Sequence, residues 1–239
     1  MFGVDVQYRS LTTAAPAARL EFPAAFYLTL AAEGDMGPAG DDDHPVRAAV
    51  LQRLGIAPGE CVLVQQQHTR QVVTLDDAQG SDCIADGIVV LGPGCAAVTV
   101  ADCMPIGVYE HGSGFWAILH SGRRGTGILT TAIGEIRRRI ASSGRFTVTF
   151  GPCIGTARYQ VDSRTAGDFA REWGDRCVVE TPGGTAIDLR AANLGIAEEL
   201  GVETAYVYRD CTYEHPELGS YRAEGSGNFR RMLALIQKD

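Results

Sequence analysis

Residues 86–150 read DGIVVLGPGCAAVTVADCMPIGVYEHGSGFWAILHSGRRGTGILTTAIGEIRRRIASSGRFTVTF, and this stretch determines the fold class that we predict. Its first part holds short β-branched or apolar runs separated by glycine, proline and acidic residues, which is typical of consecutive strands. Its second part, residues 126–142, places Ile128, Ile133 and Ile136 on one face at helical spacing, which predicts an amphipathic helix. Arginines crowd the end of that helix, where the macrodipole favours positive charge.

The sequence on either side extends the same pattern. We predict strands at residues 24–32, 61–66, 71–75, 86–91, 95–101, 105–109, 115–120, 145–150, 177–179 and 204–208. We predict helices at residues 45–54, 126–142, 162–173 and 188–200, whereas residues 228–237 fit a strand or a helix. Because strands first cluster and then alternate with helices, we expect one α/β or α+β domain spanning residues 1–239. Residues 33–44 (EGDMGPAGDDDH) are expected to form an acidic surface loop.

Composition and charge restrict the class of protein. Apolar residues make up 45% of the 239 residues and charged residues 21%, as in ordinary globular proteins. There is no apolar run of roughly 18 residues without charges or breakers, and the N-terminus lacks the pattern of a secretory signal, so we expect no membrane span and no export. The net charge of −8 argues against a protein that binds nucleic acid through its overall field. Seven cysteines without a CxxC pair fit a reducing compartment, so we expect a cytoplasmic protein.

Three residues in unusual local frames are the candidate metal ligands: His68, Cys103 and His120. A thiolate and two imidazoles suit a borderline-soft ion such as zinc, and three protein ligands leave one coordination position for water or substrate. We therefore predict an enzyme with a metal at its centre. The spacing matches no short zinc-finger pattern, so each residue taken singly also fits a plainer role, as a packed or surface histidine or a buried thiol. Asp102, next to Cys103, is expected to face the loops and orient a histidine.

The segment HSGRRGTG at residues 120–127 links a predicted strand to the amphipathic helix. Helix N-termini expose unpaired N–H groups that attract anions, glycines allow close approach of the backbone, and Arg123 and Arg124 add donors for phosphate or carboxylate. We therefore predict an anion-binding cradle here, to which Arg222 could contribute. The Gly-Lys-Ser/Thr ending of a nucleotide-triphosphate loop is missing. A solvated loop whose arginines cover apolar surface fits the segment equally well.

Taken together, these motifs resemble the YfiH-like family, whose members are variously called laccase-domain proteins, polyphenol oxidases, purine nucleoside phosphorylases or peptidoglycan editing factors. The resemblance covers roughly residues 55–236. The motifs that carry it occur in the family's order: Gln66-Gln67-His68, Val100-Ala101-Asp102-Cys103-Met104-Pro105, His120-Ser121-Gly122-Arg123-Arg124-Gly125, Gly151-Pro152-Cys153-Ile154-Gly155, Asp188-Leu189, Asn193, Cys211-Thr212 and Ser220-Tyr221-Arg222.

The resemblance implies a fold, an activity and a set of site residues. The fold is a single domain with layered α/β/β/α architecture and mixed sheets. The activity is phosphorolysis of adenosine, inosine, guanosine and methylthioadenosine, with adenosine deamination also attributed to the family, so the partners are a purine nucleoside and phosphate. Zinc, rather than copper, is held by His68, Cys103 and His120. The same three residues and Asp102 are implied in catalysis, and the residues implied in binding phosphate or substrate are Arg124, Gln66 and Arg222.

The sequence departs from the family pattern at four positions beside these motifs. Thr69 stands where the family usually has glycine, and Arg123 stands where it has tryptophan. Gln160 replaces a common glutamate, and Ala223 replaces a second arginine. The candidate metal ligands are unchanged, so the departures concern groups that face the substrate.

Three other functions remain compatible with the sequence. In a cysteine hydrolase or amidase that acts on a cell-wall precursor, Cys103 would be the nucleophile and His120 its base, oriented by Gln66, Asp102 or His68. A mononuclear copper polyphenol oxidase would use two histidines and one cysteine, but the neighbouring methionine is poorly placed as an axial ligand. The chain's five histidines are too few for the copper sites of a multicopper laccase. A non-enzymatic binding protein would keep the pocket without turnover.

Overall fold

The computed structural model describes residues 3–38, 44–57, 59–78, 83–140 and 144–239. Their strands, in chain order, are β1 (Asp5–Arg9), β2 (Ala17–Leu20), β3 (Ala25–Thr29), β4 (Cys61–Val62), β5 (Val72–Thr74), β6 (Gly87–Val90), β7 (Gly94–Val100), β8 (Met104–Glu110), β9 (Trp116–Ser121), β10 (Phe146–Phe150), β11 (Val178–Thr181), β12 (Gly184–Ile187), β13 (Thr204–Tyr208) and β14 (Met232–Lys238). Their α-helices are α1 (Pro45–Arg53), α2 (Ile128–Arg137), α3 (Ser163–Trp173), α4 (Leu189–Glu199) and α5 (Tyr221–Glu224). None of the helices in these ranges has the length and apolar character needed to cross a bilayer.

The strands form two large mixed sheets and one small hairpin. The larger sheet has the strand order β1-β13-β10-β8-β9-β6-β5, and the smaller one has the order β2-β3-β14-β7-β4. Strands β8 and β9 are antiparallel neighbours, with Met104 opposite Ser121. Strand β7 pairs with β4 in parallel, with Cys95 opposite Cys61. The chain therefore passes from the smaller sheet to the larger one in the short segment between β7 and β8, residues 101–103.

Side-chain alternation along β14 shows that the smaller sheet is covered on both faces. Met232, Ala234 and Ile236 pack in the core between the two sheets, with apolar side chains of β6 and β9. Leu233 and Leu235 point the other way and pack in the core beneath α1. Because successive side chains of a strand point to opposite faces, one strand contributes to two separate apolar layers.

Helices cover the outer face of the larger sheet. Helix α2 buries Ile128, Ile133 and Ile136 in a third core that also contains residues of β8, β10 and α4. Each such fully buried side chain stabilises the fold by about 1.5–3 kcal/mol. With α1 on the far side of the smaller sheet, the layers are ordered α/β/β/α, which confirms the fold class implied by the resemblance.

Some predicted elements differ from the structure. Helix α2 ends at Arg137 rather than at residue 142, and residues 141–143 lie outside the described residues. Strands β1, β2 and β12 were not predicted, because their short sequences (DVQYR, AARL and GTAI) carry little β-branched or aromatic signal. Residues 228–237 contain the start of a strand, β14, and not a helix.

The predicted acidic surface loop at residues 33–44 is only partly on the surface. Met36 is fully buried in the core beneath α1, and Asp35 forms an ion pair with Arg231 at 2.9 Å. Arg47 donates to the backbone carbonyls of Met36 and Pro38. These contacts fasten the first half of the segment to the domain, and residues 39–43 lie outside the described residues.

Candidate metal centre

His68, Cys103 and His120 converge at one point. One ligand atom from each side chain lies within 4.8 Å of the others, and the two imidazole rings meet edge to face with centroids 4.8 Å apart. His68 follows β4, Cys103 lies in the crossover between the sheets, and His120 lies on β9. Pro105 of β8 is opposite His120, so the segment just before it carries Cys103 to the same end of β9. The structure thus brings together the three candidate ligands.

The backbone is strained at two positions beside this point. His68 has a φ of 59° and Asp102 has a φ of 82°, and among the described residues no other non-glycine residue has a positive φ. Such conformations cost about 1–3 kcal/mol each and persist where the surroundings fix them. At both positions, buried hydrogen bonds supply that constraint.

A buried carboxylate, that of Asp86, holds both histidines. Its Oδ1 accepts a hydrogen bond from Nδ1 of His120 at 2.8 Å and another from the backbone N–H of His68 at 3.0 Å. Its Oδ2 accepts from the N–H and the hydroxyl of Thr69 at 2.6 and 2.7 Å. With Nδ1 occupied, His120 keeps Nε2 for the thiol of Cys103. Asp86 was not among the predicted site residues, because its only signal in the sequence is a carboxylate at the start of an apolar strand.

These groups form a chain of alternating charge. Burial would raise the pKa of the Asp86 carboxyl, but hydrogen bonds from His120 and Thr69 lower it to about 2. Burial also opposes charge on Cys103, but His120 and His68 lower the pKa of this thiol to about 6. Although burial disfavours the imidazolium, Cys103 and Asp86 raise the pKa of His120 to about 9. At neutral pH the sulfur is therefore a thiolate, the form that binds metals and attacks electrophiles.

Gly122 leaves room for this sulfur. A β-carbon at position 122 would lie 2.5 Å from Sγ of Cys103 and 3.5 Å from Cδ2 of His68. Gly125 is similarly close, because a β-carbon there would lie 3.0 Å from the carbonyl oxygen of Thr69. Both glycines therefore serve close packing beside the candidate ligands.

Two backbone N–H groups of the predicted anion cradle are already bonded within the protein. The N–H groups of Thr126 and Ile128 donate to carbonyl oxygens within the same tight turn, so they are not free for an anion. The side chains of Arg123 and Arg124 line the cavity that contains the three candidate ligands.

Asp102 does not orient a histidine, contrary to the prediction. Its carboxylate accepts from the hydroxyls of Thr212 and Ser220 at 2.6 and 2.7 Å and from the backbone N–H of Arg222 at 2.7 Å. It therefore anchors the C-terminal segment at the cavity. The orienting role belongs to Asp86, which approaches the histidines from a different strand.

Gln66 and Arg222 line the cavity as predicted, but their contacts are mainly with the protein. The carboxamide of Gln66 donates to the carbonyl oxygen of Thr99 at 2.9 Å and accepts from its N–H at 2.8 Å, so it fixes the loop after β4 to β7. The guanidinium of Arg222 lies 5.4 Å from the ring centroid of Tyr159. It also reaches the carbonyl oxygen of Gln160 at 3.4 Å.

The cavity around the metal centre has a volume of about 1030 Å³. Its lining includes Tyr159 and an edge-to-face pair formed by Tyr221 and Phe229, with ring centroids 5.0 Å apart. This aromatic pair was not predicted, because its members come from a loop-rich region without strand or helix periodicity. The site therefore combines a soft metal-ligand set, arginines and an aromatic surface.

Several known proteins are similar to this chain in sequence or in fold. Residues 33–239 match the family Cu-oxidase_4, described as "Multi-copper polyphenol oxidoreductase laccase". A protein of Corynebacterium glutamicum named purine nucleoside phosphorylase is 31% identical over 209 residues, which is 84% of this chain and 85% of that protein. Adenosine deaminase RL5, from an unknown prokaryotic organism, is 27% identical over 227 residues, covering 83% and 84% of the two chains. The crystal structure of a hypothetical protein YfiH from Bacillus licheniformis superposes with a TM-score of 0.83 at 23% identity, covering 96% of this chain and 99% of that one.

Proposed function

The chain belongs to the family described as multi-copper polyphenol oxidoreductase laccase, and we propose that it is a zinc-dependent enzyme that phosphorolyses purine nucleosides. The observation that carries the proposal is the convergence of His68, Cys103 and His120 in a cavity also lined by arginines. The names of two relatives, purine nucleoside phosphorylase and adenosine deaminase, support purine nucleosides as the substrate class. Deamination of adenosine is the second reaction that we propose for the same site.

The residues fit a metal ion. The donor set is a thiolate and two imidazoles, which suits a borderline-soft ion. The buried hydrogen bond from His120 to Asp86 is the kind of contact that orients a metal-ligating histidine. The close approach at Gly122 keeps the sulfur beside both rings. These features support His68, Cys103 and His120 as the ligands.

We propose zinc rather than copper as the ion. Among the described residues, these three side chains are the one group of three or more histidine, cysteine or acidic side chains with ligand atoms close enough to share a metal. Several coppers in one chain would need more such groups. When bound, a zinc ion supplies Lewis-acid polarisation of an oxygen atom.

The remaining residues of the cavity bind and orient the two substrates. Arg124 and Arg222 are suited to hold inorganic phosphate, because a guanidinium donates two parallel hydrogen bonds to a phosphate group. Tyr221 and Phe229 present aromatic surface, against which a flat purine base can pack. Asp102 positions Arg222 through its backbone N–H, so it acts on substrate binding indirectly.

The experiment is phosphate-dependent release of purine base. Adenosine, inosine, guanosine and methylthioadenosine are each incubated with the purified protein, with and without phosphate, and ammonia release is followed in parallel. His68→Ala, Cys103→Ala and His120→Ala should each abolish base release and lower the metal content. His111→Ala is the matched control, since His111 is exposed and hydrogen-bonds Thr147 away from the cavity. Undiminished turnover in all three ligand variants would contradict the proposal.

A cysteine hydrolase or amidase is the second candidate function, favoured by one specific observation. Cys103, His120 and Asp86 form a thiolate, imidazolium and carboxylate series, the arrangement of a cysteine nucleophile, its base and an orienting acid. Here Asp86 takes the place of the orienting groups considered from the sequence. Amide hydrolysis by metal-free protein, lost in step with alkylation of one thiol, would favour this candidate. Amide hydrolysis that requires metal would reject this candidate, and so would a complete lack of amide hydrolysis.

A further inference from the structure

Within the part of the chain that the structure describes, the guanidinium groups of three cavity arginines form no ion pair with a carboxylate. Neither Arg123 nor Arg124 has a hydrogen-bond or ion-pair partner within the described ranges. The guanidinium of Arg222 reaches backbone carbonyl oxygens of Arg158 and Gln160 at 3.3 to 3.5 Å. These carbonyl oxygens carry no net charge, so the cationic charge of all three side chains remains unneutralised.

The acidic side chains of the lining are already engaged. Asp102 accepts three hydrogen bonds from its own surroundings. Asp162 caps α3 by accepting from the N–H and the hydroxyl of Thr165 at 2.9 and 2.8 Å. The fourth arginine of the lining, Arg231, is paired with Asp35. Arg123, Arg124 and Arg222 therefore outnumber the two remaining carboxylates of the lining, Asp102 and Asp162, in a chain whose net charge is −8.

Arg123 and Arg124 are neighbours in sequence but occupy different environments. Arg124 is exposed, whereas Arg123 is half-buried. Burial raises the pKa of Tyr159 to about 12, and the charges of Arg123 and Arg222 both oppose this shift. Arg123 and Arg222 therefore both lie near Tyr159, and the neighbouring Arg123 and Arg124 line the same cavity with different exposure to solvent.

We propose that the cavity holds two anionic groups at once: inorganic phosphate at Arg124, and a phosphoryl group of the substrate at Arg123. The substrate class is then a purine nucleoside monophosphate rather than an unphosphorylated nucleoside. This inference rests on the proposed function, because it takes a purine nucleoside as the core of the ligand. It adds a specificity-determining residue, Arg123, to the site.

The volume of the cavity and the strength of guanidinium–phosphate hydrogen bonds both favour a larger, more highly charged ligand. A volume of about 1030 Å³ lies at the upper end of ligand pockets, which are about 300–1,000 Å³. Hydrogen bonds between guanidinium and phosphate are charge-assisted and among the stronger ones in proteins. At a half-buried position such as Arg123 they are screened less by salt than on the open surface.

The test measures the affinities of adenosine, adenosine 5′-monophosphate and adenosine 3′-monophosphate for the zinc-loaded full chain by calorimetry. The titrations are done in excess sulfate, a tetrahedral anion that can fill the phosphate site at Arg124 but does not support phosphorolysis. One monophosphate should bind about tenfold more tightly than adenosine, or better, because it gains a charge-assisted contact. Arg123→Ala should reduce this ratio to about one, and Arg123→Lys should retain part of it. Arg171→Ala, an exposed position on α3, is the control that should leave the ratio unchanged.

Three results would overturn the inference. Equal affinities for adenosine and both monophosphates would remove the second anion site. A preference that survives Arg123→Ala would assign it to another residue. A preference that disappears as the sulfate concentration is raised would mean that the monophosphate merely occupies the phosphate site. Because the Arg123 guanidinium has no hydrogen-bond or ion-pair partner among the described residues, its variants should melt close to the wild type. Arg123→Lys is a second variant in which the affinity ratio is measured.

Base release is measured separately, so that this inference and the proposed function can fail independently. Suppose that the monophosphate preference depends on Arg123 but no compound shows phosphate-dependent base release. The proposed function would then be contradicted, whereas the second anion site, at Arg123, would stand. Suppose instead that adenosine releases its base but binds with the same affinity as its monophosphates. The second anion site would then be contradicted, whereas the proposed function would stand.

Discussion

Nδ1 of His120 donates a hydrogen bond to Oδ1 of Asp86 at 2.8 Å, and the same oxygen accepts the backbone N–H of His68 at 3.0 Å. One buried carboxylate therefore fixes one candidate ligand through its ring and the other through its backbone. Metal-ligating histidines usually have such a partner. In the cysteine-hydrolase alternative, the same carboxylate would orient the base.

Asp86→Asn should weaken metal binding. The change removes the negative charge that holds His120, and loss of such a contact typically costs about 10–100-fold in metal affinity. The measurement is a zinc competition titration against a chromophoric chelator. Asp168→Asn, at an exposed position on α3, is the control. Wild-type affinity in Asp86→Asn would mean that the carboxylate serves folding alone.

Cys103 should be the reactive thiol of the metal-free protein. Its pKa is lowered to about 6 despite burial, because His120 and His68 stabilise the thiolate. Alkylation should therefore be half-maximal near pH 6, and the rate should fall below that pH as the thiol protonates. Burial raises the pKa of Cys153 to about 12, so Cys153 should stay unmodified at neutral pH. Mass-spectrometric mapping of alkylation against pH measures both, and a half-point near pH 9 for Cys103 would contradict the description of the site.

Gly122→Ala should damage the metal centre without unfolding the domain. Its β-carbon would lie 2.5 Å from Sγ of Cys103, so the sulfur must move away from the histidines. We expect a loss of bound metal and of activity. The control is Gly167→Ala in α3, where nothing lies within 4 Å of the added β-carbon. That change should stabilise the protein by about 0.5–1 kcal/mol, because alanine is the better helix former.

Asp102→Asn should separate substrate binding from metal binding. Asp102 anchors Ser220 and Arg222, so the variant should raise the KM for phosphate and nucleoside, while the bound metal remains at the wild-type level. Steady-state kinetics with elemental analysis of the same samples measures both. If the metal is lost and KM is unchanged, Asp102 acts at the metal centre instead.

Glu110 should make stability depend on acidic pH. Although burial opposes its charge, hydrogen bonds from Ser113, Gly112 and Arg145 lower its pKa from 4.5 to about 2. A lowered carboxyl pKa stabilises the fold above pH 4.5, and this contribution is lost as pH falls toward 2. Glu110→Gln should therefore cost about 1–3 kcal/mol at pH 7, and less as pH falls.

Urea unfolding of both proteins at pH 7 and at low pH measures this difference. Glu199→Gln, at an exposed position of α4, is the control. A difference that stays constant with pH would mean that the shape of the side chain, and not its charge, stabilises the turn.

The order of the elements in the central part of the chain could be predicted because local patterns carry it. The strands of residues 86–120 have β-branched runs between glycines and prolines, and α2 has a clear apolar face. Strands β1 and β2 could not be predicted, since their pairing partners, β13 and β3, supply most of what holds them. Long-range pairing of this kind leaves little trace in a short sequence.

The site could be predicted in part for a related reason. His68, Cys103 and His120 stood out through their local frames and through the resemblance to a family. Asp86 did not stand out, because its importance comes from contacts with residues 67–69 and with position 120. Asp102 was assigned the wrong contacts, because its positive φ turns the chain away from the extended conformation that the prediction assumed.

The most direct test of the central claim is phosphate-dependent base release from inosine by one preparation in three states: as purified, after chelation, and after zinc is restored. We expect that the purified protein carries zinc, that chelation abolishes base release, and that zinc restores base release in the wild type but not in Cys103→Ala. Equal base release in all three states would contradict a metal centre built from His68, Cys103 and His120.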